Sequence, residues 1–309
     1  MGAALALAER GRGRTAPNPN VGCVIVRDGI AVGRGWTQPG GRPHAEAMAL
    51  AQAGKKSRGA TAYVTLEPCA HESVRGPACS NLLAAADVAR VVIALGDPDP
   101  RTNGAGTARL RAAGIEVTEG VRTEEARRSM AGFLTRLERG RPFVTLKLAT
   151  SLDGRIALAS GESKWITGEQ ARAHTHLERA RHEAILVGRR TMEIDTPRLD
   201  VRLPGLEDRS PRRLVLSAAG ELKSPADIAK LEGINHLFVE GGAETAASFL
   251  RADLVDRLLL YRAPILIGGD GRPALGDIGL TRLGDAQDRW RLVESRMLGK
   301  DRMEAYERA

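Results

Sequence analysis

Two short motifs constrain this chain more than any other feature. His44-Ala45-Glu46 opens an alanine-rich run, and Pro68-Cys69 is followed after nine residues by Cys79. The first motif begins HAEAMALAQAG, which reads as a helix closed by Gly54; the second follows ATAYVTLE, which reads as a strand, and leads into CSNLLAAAD, a further helix. One imidazole and two thiolates suit a tetrahedral zinc that keeps a fourth position open, as catalytic zinc requires. A fold that satisfies this set must bring two helix starts to one point.

Glu46, two residues from the ligand His44, reads as the proton shuttle of that site. Zinc deaminases use this residue set, with a glutamate that is not itself a ligand, and their usual signature has two residues between the cysteines. The nine found here carry His71 and Arg75 toward the site. A fourth protein ligand would close the metal, so His71 reads as a substrate contact. Cys23 lies inside the strand-like VGCVIV and reads as core, while Glu67 reads equally as orienting a ligand or capping its strand.

At 309 residues the chain calls for two domains, which we place at 1–141 and 142–309. Strands alternate with helices in both halves, so each reads as α/β, mostly parallel after an opening hairpin at VGCVIVRDG. TEEARRSMAGFLTRLERG reads as one long helix closing the first half, and DRLLLYRAPILIG as one strand near the end of the second. Three cysteines make an odd set that does not suit a disulfide framework. With no apolar run long enough for a membrane span and no secretory leader, a cytoplasmic protein is expected.

The net charge of +8 permits a nucleic-acid deaminase with an appended binding module. Scattered arginines and only 3% aromatic residues favour phosphorylated small molecules instead, and no nucleic-acid or membrane partner is expected. In the second half, HLFVE running into GGAETAASFL reads as strand, Gly-rich loop and helix, with Gly241 and Gly242 admitting a ligand to the backbone and Thr245 offering a donor to phosphate. It lacks the G-x-G-x-x-G fingerprint of a Rossmann site.

Taken together, PNPNVGCVIVRDG, PHAEAMAL, ATAYVTLEPCAH, VARVVIALGDPDP, LKLATSLDGRIALASGESKWIT and HLFVEGGAETAASFL resemble, in that order, the bifunctional deaminase/reductase family of riboflavin biosynthesis. The resemblance implies a cytidine-deaminase-like three-layer α/β/α domain followed by a dihydrofolate-reductase-like α/β domain. It implies zinc on His44, Cys69 and Cys79 with Glu46 as acid/base, acting on the 2-amino group of 2,5-diamino-6-(5-phosphoribosylamino)pyrimidin-4-one. Asn20 and His71 match family positions near the pyrimidine. The second half is then expected to reduce the ribosyl group to ribityl with NADPH, and the chain to form a homodimer.

For that second site, Ala149, Trp165, Thr191, Asp195 and the run Gly242, Ala243, Glu244, Thr245, Ala246, Ala247 and Ser248 match positions that line NADPH. Ser163, Arg179, Leu199, Arg202 and Glu240 match positions that hold the ribosyl substrate and its phosphate, a task a guanidinium performs through two parallel hydrogen bonds. Lys147 and Asp153 are the candidate proton sources for reduction. Two departures from the family stand out. The inter-cysteine loop is one residue longer, and the segment 218–236 is much shorter, with Ser217 where the family carries Asp. The short segment leaves open a deaminase whose second half is a scaffold, and predicts weaker or altered cofactor binding.

Overall fold

A computed structural model of the chain describes residues 1–72 and 74–309; Ser73, in the inter-cysteine loop, lies outside the described residues. The chain divides into two compact units, Met1–Gly140 and Arg141–Ala309.

The first unit contains α1 (Gly2–Ala8), β1 (Gly22–Arg27), β2 (Ile30–Trp36), α2 (Ala45–Ala53), β3 (Thr61–Val64), α3 (Cys79–Ala85), β4 (Arg90–Ile93), α4 (Ala105–Ala112), β5 (Glu116–Thr118), α5 (Thr123–Ser129) and α6 (Ala131–Arg139). Its sheet has the order β2-β1-β3-β4-β5. β1 pairs antiparallel with β2 and β3, and β3, β4 and β5 run parallel. The hairpin turns at Asp28 and Gly29, both at positive φ, as a tight D-G connection requires.

Glycines bring α2 onto this sheet. A Cβ on Gly33 would sit 2.2 Å from the Ala49 carbonyl, and one on Gly35 would sit 2.1 Å from that of Ala45. The helix answers with Ala45, Ala49 and Ala53 at i, i+4 spacing, all buried. Small side chains on both surfaces let backbone approach backbone, which fixes where the residues at the start of α2 point.

The expected single helix after Thr123 is broken. Met130, at φ −102 and ψ 17, separates α5 from α6 and is fully buried. Asn20 Nδ2 donates to the Ser129 carbonyl at 3.1 Å and lies 3.3 Å from its hydroxyl, so the break is held from another part of the chain.

The second unit contains β6 (Phe143–Thr150), β7 (Arg155–Ala157), α7 (Glu169–Arg179), β8 (Ala184–Gly188), α8 (Arg189–Asp195), β9 (Arg212–Leu216), β10 (His236–Val239), α9 (Ala243–Arg251), β11 (Arg257–Arg262), β12 (Arg272–Pro273), β13 (Trp290–Leu298) and β14 (Asp301–Arg308). The main sheet has the order β13-β14-β11-β6-β10-β8-β9, with β11, β6, β10, β8 and β9 parallel. β8 is buried at all five positions, as a parallel strand covered on both faces should be. Leu186 joins one apolar cluster with Val144, Leu146 and Phe249; its neighbours Ile185 and Val187 join another with Phe238 and Tyr261.

β11 ends at Arg262 instead of running on to Ile267, because Pro264 has no N–H to give a ladder. The C-terminal hairpin of β13 and β14 and the short helix α8 are additions to the sequence reading. Between β9 and β10 the regular structure is one 3₁₀ segment, Pro225–Lys230, with β9 left at the sheet edge.

Candidate active sites

In the first unit the ends of β3 and β4 meet the starts of α2 and α3. The C-terminal edge of parallel strands is where α/β folds place ligands. His44 is the N-cap residue of α2, and Cys79 is the first residue of α3. His44 Nδ1 lies 3.2 Å from Cys79 Sγ and 3.6 Å from Cys69 Sγ. One ligand atom from each of the three residues lies within 4.8 Å of the others.

The backbone N–H of Cys79 donates to Cys69 Sγ at 3.3 Å, and the amide of Asn18 lies 3.2 Å from the other ring nitrogen of His44, which orients the ring. Hydrogen bonding from Cys79 holds the Cys69 thiol well below its usual range, and the same contact together with burial pushes Cys79 up. Two thiols this close cannot both ionise without a cation between them, and a soft divalent metal is the partner that two sulfurs and one imidazole suit. The residues therefore fit zinc.

These residues open on a pocket of about 260 Å³. Glu46 lines it at 3% exposure, and burial raises its carboxyl to about 7. His71 and Arg75 also line it, and Arg75 Nη2 donates to the Gly40 carbonyl at 2.6 Å. Glu67 has a definite place: its carboxylate accepts from the backbone N–H groups of Asp97, Gly104 and Thr107 at 3.2, 3.0 and 3.0 Å. It thereby ties the β3 end to the loop whose Asp97, Asp99 and Arg101 line the same pocket. That DPDPR stretch reads in sequence as a mere connecting loop; its acid-rich run just beyond a parallel strand was the available signal.

Asn20 does not belong to the pocket. It is 3% exposed, and its amide donates to the Ala8 carbonyl as well as to Ser129. Asn18, two residues earlier in PNPN, takes the lining position. Cys23 is fully buried in the core.

The second unit has its own cleft, also about 260 Å³. Lys147 and Ala149 on β6, Ser163 and Trp165 before α7, Arg179 at the end of α7, and Arg202 and Glu240 all line it. The Arg179 guanidinium donates twice to Glu240, through Nε at 2.6 Å and Nη2 at 3.0 Å, and once to the Asp200 carbonyl at 3.0 Å. Lys147 Nζ stands 3.6 Å from the same carboxylate. Burial alone would raise Glu240, but Lys147 and Arg179 hold it below its usual range. Arg202 pairs with Asp200 and remains half-exposed at the cleft edge. His176 and Arg172 line the cleft as well, and no motif in the sequence singles them out.

Of the residues expected at this cleft, Asp153, Leu199, Ala246, Ala247 and Ser248 have their side chains engaged elsewhere. Asp153 is not among its lining residues: its carboxylate accepts from the Ser151 hydroxyl at 2.6 Å and from the amides of Ile267 and Gly268 at 3.1 and 2.8 Å. Those donors hold it at about 2, so it cannot act as a proton donor near neutrality. Leu199 is 3% exposed and packs into the core beside Ile185 and Phe238, at a φ of 54°. Ala246 and Ala247 are fully buried, because the helix turns its second turn toward the sheet, and the Ser248 hydroxyl donates back to the Thr245 carbonyl. Asp195 is exposed at the end of α8.

The remaining positions gather at the start of α9. Gly242 is its N-cap residue, with Ala243, Glu244 and Thr245 in the first turn. A Cβ on Gly188 or Gly241 would lie 2.3 or 2.4 Å from the Thr245 side chain, so those glycines seat Thr245. A Cβ on Gly242 would meet Thr191 Oγ1 alone, at 3.9 Å, which leaves open approach to the backbone there. An open glycine beside a helix start suits the phosphate or ring of a nicotinamide cofactor.

No helix of the described residues is long and apolar enough to cross a membrane. Residues 1–95 match the family described as the cytidine and deoxycytidylate deaminase zinc-binding region, and residues 142–303 match the RibD C-terminal domain. The chain is similar to the riboflavin biosynthesis protein RibD of Escherichia coli, 41% identical with 97% of this chain and 96% of that protein covered. RibD of Aquifex aeolicus is 38% identical, covering 97% and 95%.

Among solved structures, RibD of Acinetobacter baumannii matches with a TM-score of 0.86 at 36% identity, over 100% of this chain and 98% of that one. The diaminohydroxyphosphoribosylaminopyrimidine deaminase/5-amino-6-(5-phosphoribosylamino)uracil reductase of Thermotoga maritima matches with a TM-score of 0.86 at 32% identity, over 100% and 97%. Both units are matched, the first with its His-Cys-Cys cluster and the second with its cleft, and the chain belongs to the RibD family of bifunctional riboflavin-biosynthesis deaminases and reductases.

Proposed function

We propose that the chain deaminates 2,5-diamino-6-(5-phosphoribosylamino)pyrimidin-4-one in the domain 1–141 and then, in the domain 142–309, reduces the ribosyl group of the resulting aminouracil to ribityl with NADPH. One observation carries the reading: His44 Nδ1 and the sulfurs of Cys69 and Cys79 cluster beside a buried Glu46 on a chain whose second unit has a separate cationic cleft.

In the first domain His44, Cys69 and Cys79 would hold the zinc. Bound there, zinc supplies the Lewis acidity that makes water a nucleophile near neutral pH. Glu46 would take one proton from the attacking water and give it to a ring nitrogen as the C–O bond forms, then carry the remaining hydroxyl proton to the amino group, whose C–N bond breaks to release ammonia. The Glu46 carboxyl is buried in the pocket onto which the three ligands open. Asn18 keeps the His44 ring in place, and His71 and Arg75 face the substrate.

NADPH bound in the second domain would supply the hydride that reduces C1 of the open-chain sugar. Lys147 is the proton source, held toward the cleft by Glu240. Arg202 takes the substrate phosphate, while Arg179 fixes Glu240 and Asp200 around it. Ser163 and Glu240 face the sugar hydroxyls. Ala149, Trp165, Thr191 and the start of α9 at Gly242, Ala243, Glu244 and Thr245 line the cofactor. The short connection after Ser217 predicts a raised KM for NADPH, measured against NADH. A cytoplasmic homodimer completes the reading, and light scattering on the purified chain checks the dimer.

Supplying the diaminopyrimidinone phosphate with and without NADPH, while following ammonia and NADPH absorbance together, tests the whole. Ammonia in both samples and NADPH oxidation in one is the expected result. Ammonia release with no NADPH oxidation would sink the second half of the reading.

A further inference from the structure

The segment 163–167 carries cleft residues without regular structure to hold them. Trp165 stands on it at 68% exposure, too exposed for packing to fix its ring. What meets the ring is Arg172, in the second turn of α7, whose guanidinium carbon lies 4.8 Å from the indole centroid. The same guanidinium donates through Nη1 to the Thr167 carbonyl at 2.6 Å. One planar group therefore grips the segment at two points, the ring of residue 165 and the backbone of residue 167. Among the described residues no carboxylate pairs with Arg172, whereas Arg179 and Arg202 on the same cleft are both paired with acids.

We propose that Arg172 is a positioning residue of the reductase, clamping Trp165 as a flat wall against which the nicotinamide ring stacks. This rests on the reading of the cleft as a cofactor site. A guanidinium can stack on an indole and donate a hydrogen bond in its own plane at once, which an ammonium cannot. With one face of the indole covered by Arg172, the other is offered to a planar ring. Without the clamp the segment must be ordered when the cofactor binds, and that cost falls on cofactor affinity rather than on the chemical step.

Arg172→Ala and Arg172→Lys should each raise the KM for NADPH about five-fold to ten-fold and leave kcat within about two-fold. Lysine keeps the charge and loses the stack, so equal effects of the two substitutions point to planarity. In a Trp36→Phe, Trp290→Phe background, where Trp165 is the sole indole, NADPH should quench its emission, and Arg172→Ala should remove most of that quenching. A reductase kcat near wild type at saturating NADPH reports that the second domain of each variant is folded.

An unchanged KM for NADPH and unchanged quenching in both variants would overturn the proposal. So would a rise confined to the KM of the phosphoribosyl substrate, because Trp165 would then face substrate. Absence of NADPH oxidation by the wild-type chain would overturn the cofactor reading itself, whereas a defect confined to the variants leaves that reading intact.

Discussion

In the first unit three donor atoms lie within 4.8 Å of one another, each set by the end of a strand or the start of a helix. In the second, the cleft groups come from segments spread from Lys147 to Glu240, with Trp165 well exposed and Arg202 half-exposed at its edge. The first site is shaped by backbone contact, through Gly33 and Gly35 against α2; the second is held by a buried charge cluster. A site built on backbone packing should fail mainly through loss of its metal. One built on paired charges should fail through loss of a partner.

The largest effect expected on this comparison is in the first unit. His44→Ala or Cys69→Ala should drop zinc well below one per chain and slow deamination by at least about a thousand-fold, with reduction of supplied aminouracil substrate within about two-fold. Metal analysis alongside the two assays checks it. A parallel loss of reduction would show that the sites are not separate in the way argued here.

Next comes Arg179→Ala, which leaves the Glu240 carboxylate buried with Lys147 at 3.6 Å as its remaining cation. The second unit should lose about 3 kcal/mol of stability, together with reductase activity. Urea unfolding measures the first quantity, and a change well under 1 kcal/mol would mean that the pair holds little.

The same carboxylate sets a pH dependence. Glu240 is held below its usual range in the folded chain, so it binds fewer protons folded than unfolded. Its stabilisation is therefore present above the ordinary glutamate value of about 4.3 and is lost as pH falls through the lower folded value. Urea midpoints across acid pH should decline less steeply in Glu240→Gln than in wild type.

The two asparagines of PNPN separate pocket from scaffold. Asn20→Ala should cost about 1 to 3 kcal/mol through the Ser129 and Ala8 carbonyls it leaves, with no change in deaminase KM. Asn18→Ala should impair deamination at nearly full stability. Smallest of all, Asp153→Asn should leave reductase kcat within about two-fold, because that side chain holds the turn at Ile267 and Gly268.

The sequence was most legible where a motif is short and tied to an element end. His44, Glu46, Cys69 and Cys79 each sit within three residues of a helix start or just past a strand, so periodicity and composition locate them. Asn18 and Asn20 lie in an irregular stretch, where no period says which side chain turns inward. The break at Met130 depends on Asn20, more than a hundred residues away, and nothing local to TEEARRSMAGFLTRLERG announces it. At the start of α9, Gly242 to Thr245 form the N-terminal turn, whereas helical rotation carries Ala246 and Ala247 into the core. The hairpin of β13 and β14 was hidden because charged and apolar residues are interleaved with a bulge between Leu292 and Glu294, which shifts the two-residue period.

Two active sites, one hydrolytic and one reductive, work on a single chain. Glu46→Gln tests their independence most directly, because the substitution removes the proton shuttle and leaves every proposed zinc ligand in place. Given the diaminopyrimidinone phosphate, this variant should keep one zinc per chain and release ammonia at least about a hundred-fold more slowly than wild type. Given substrate deaminated beforehand, it should oxidise NADPH at the wild-type rate. Undiminished ammonia release would show that Glu46 is not the proton shuttle, and loss of NADPH oxidation with zinc and fold intact would show that the two sites are not independent.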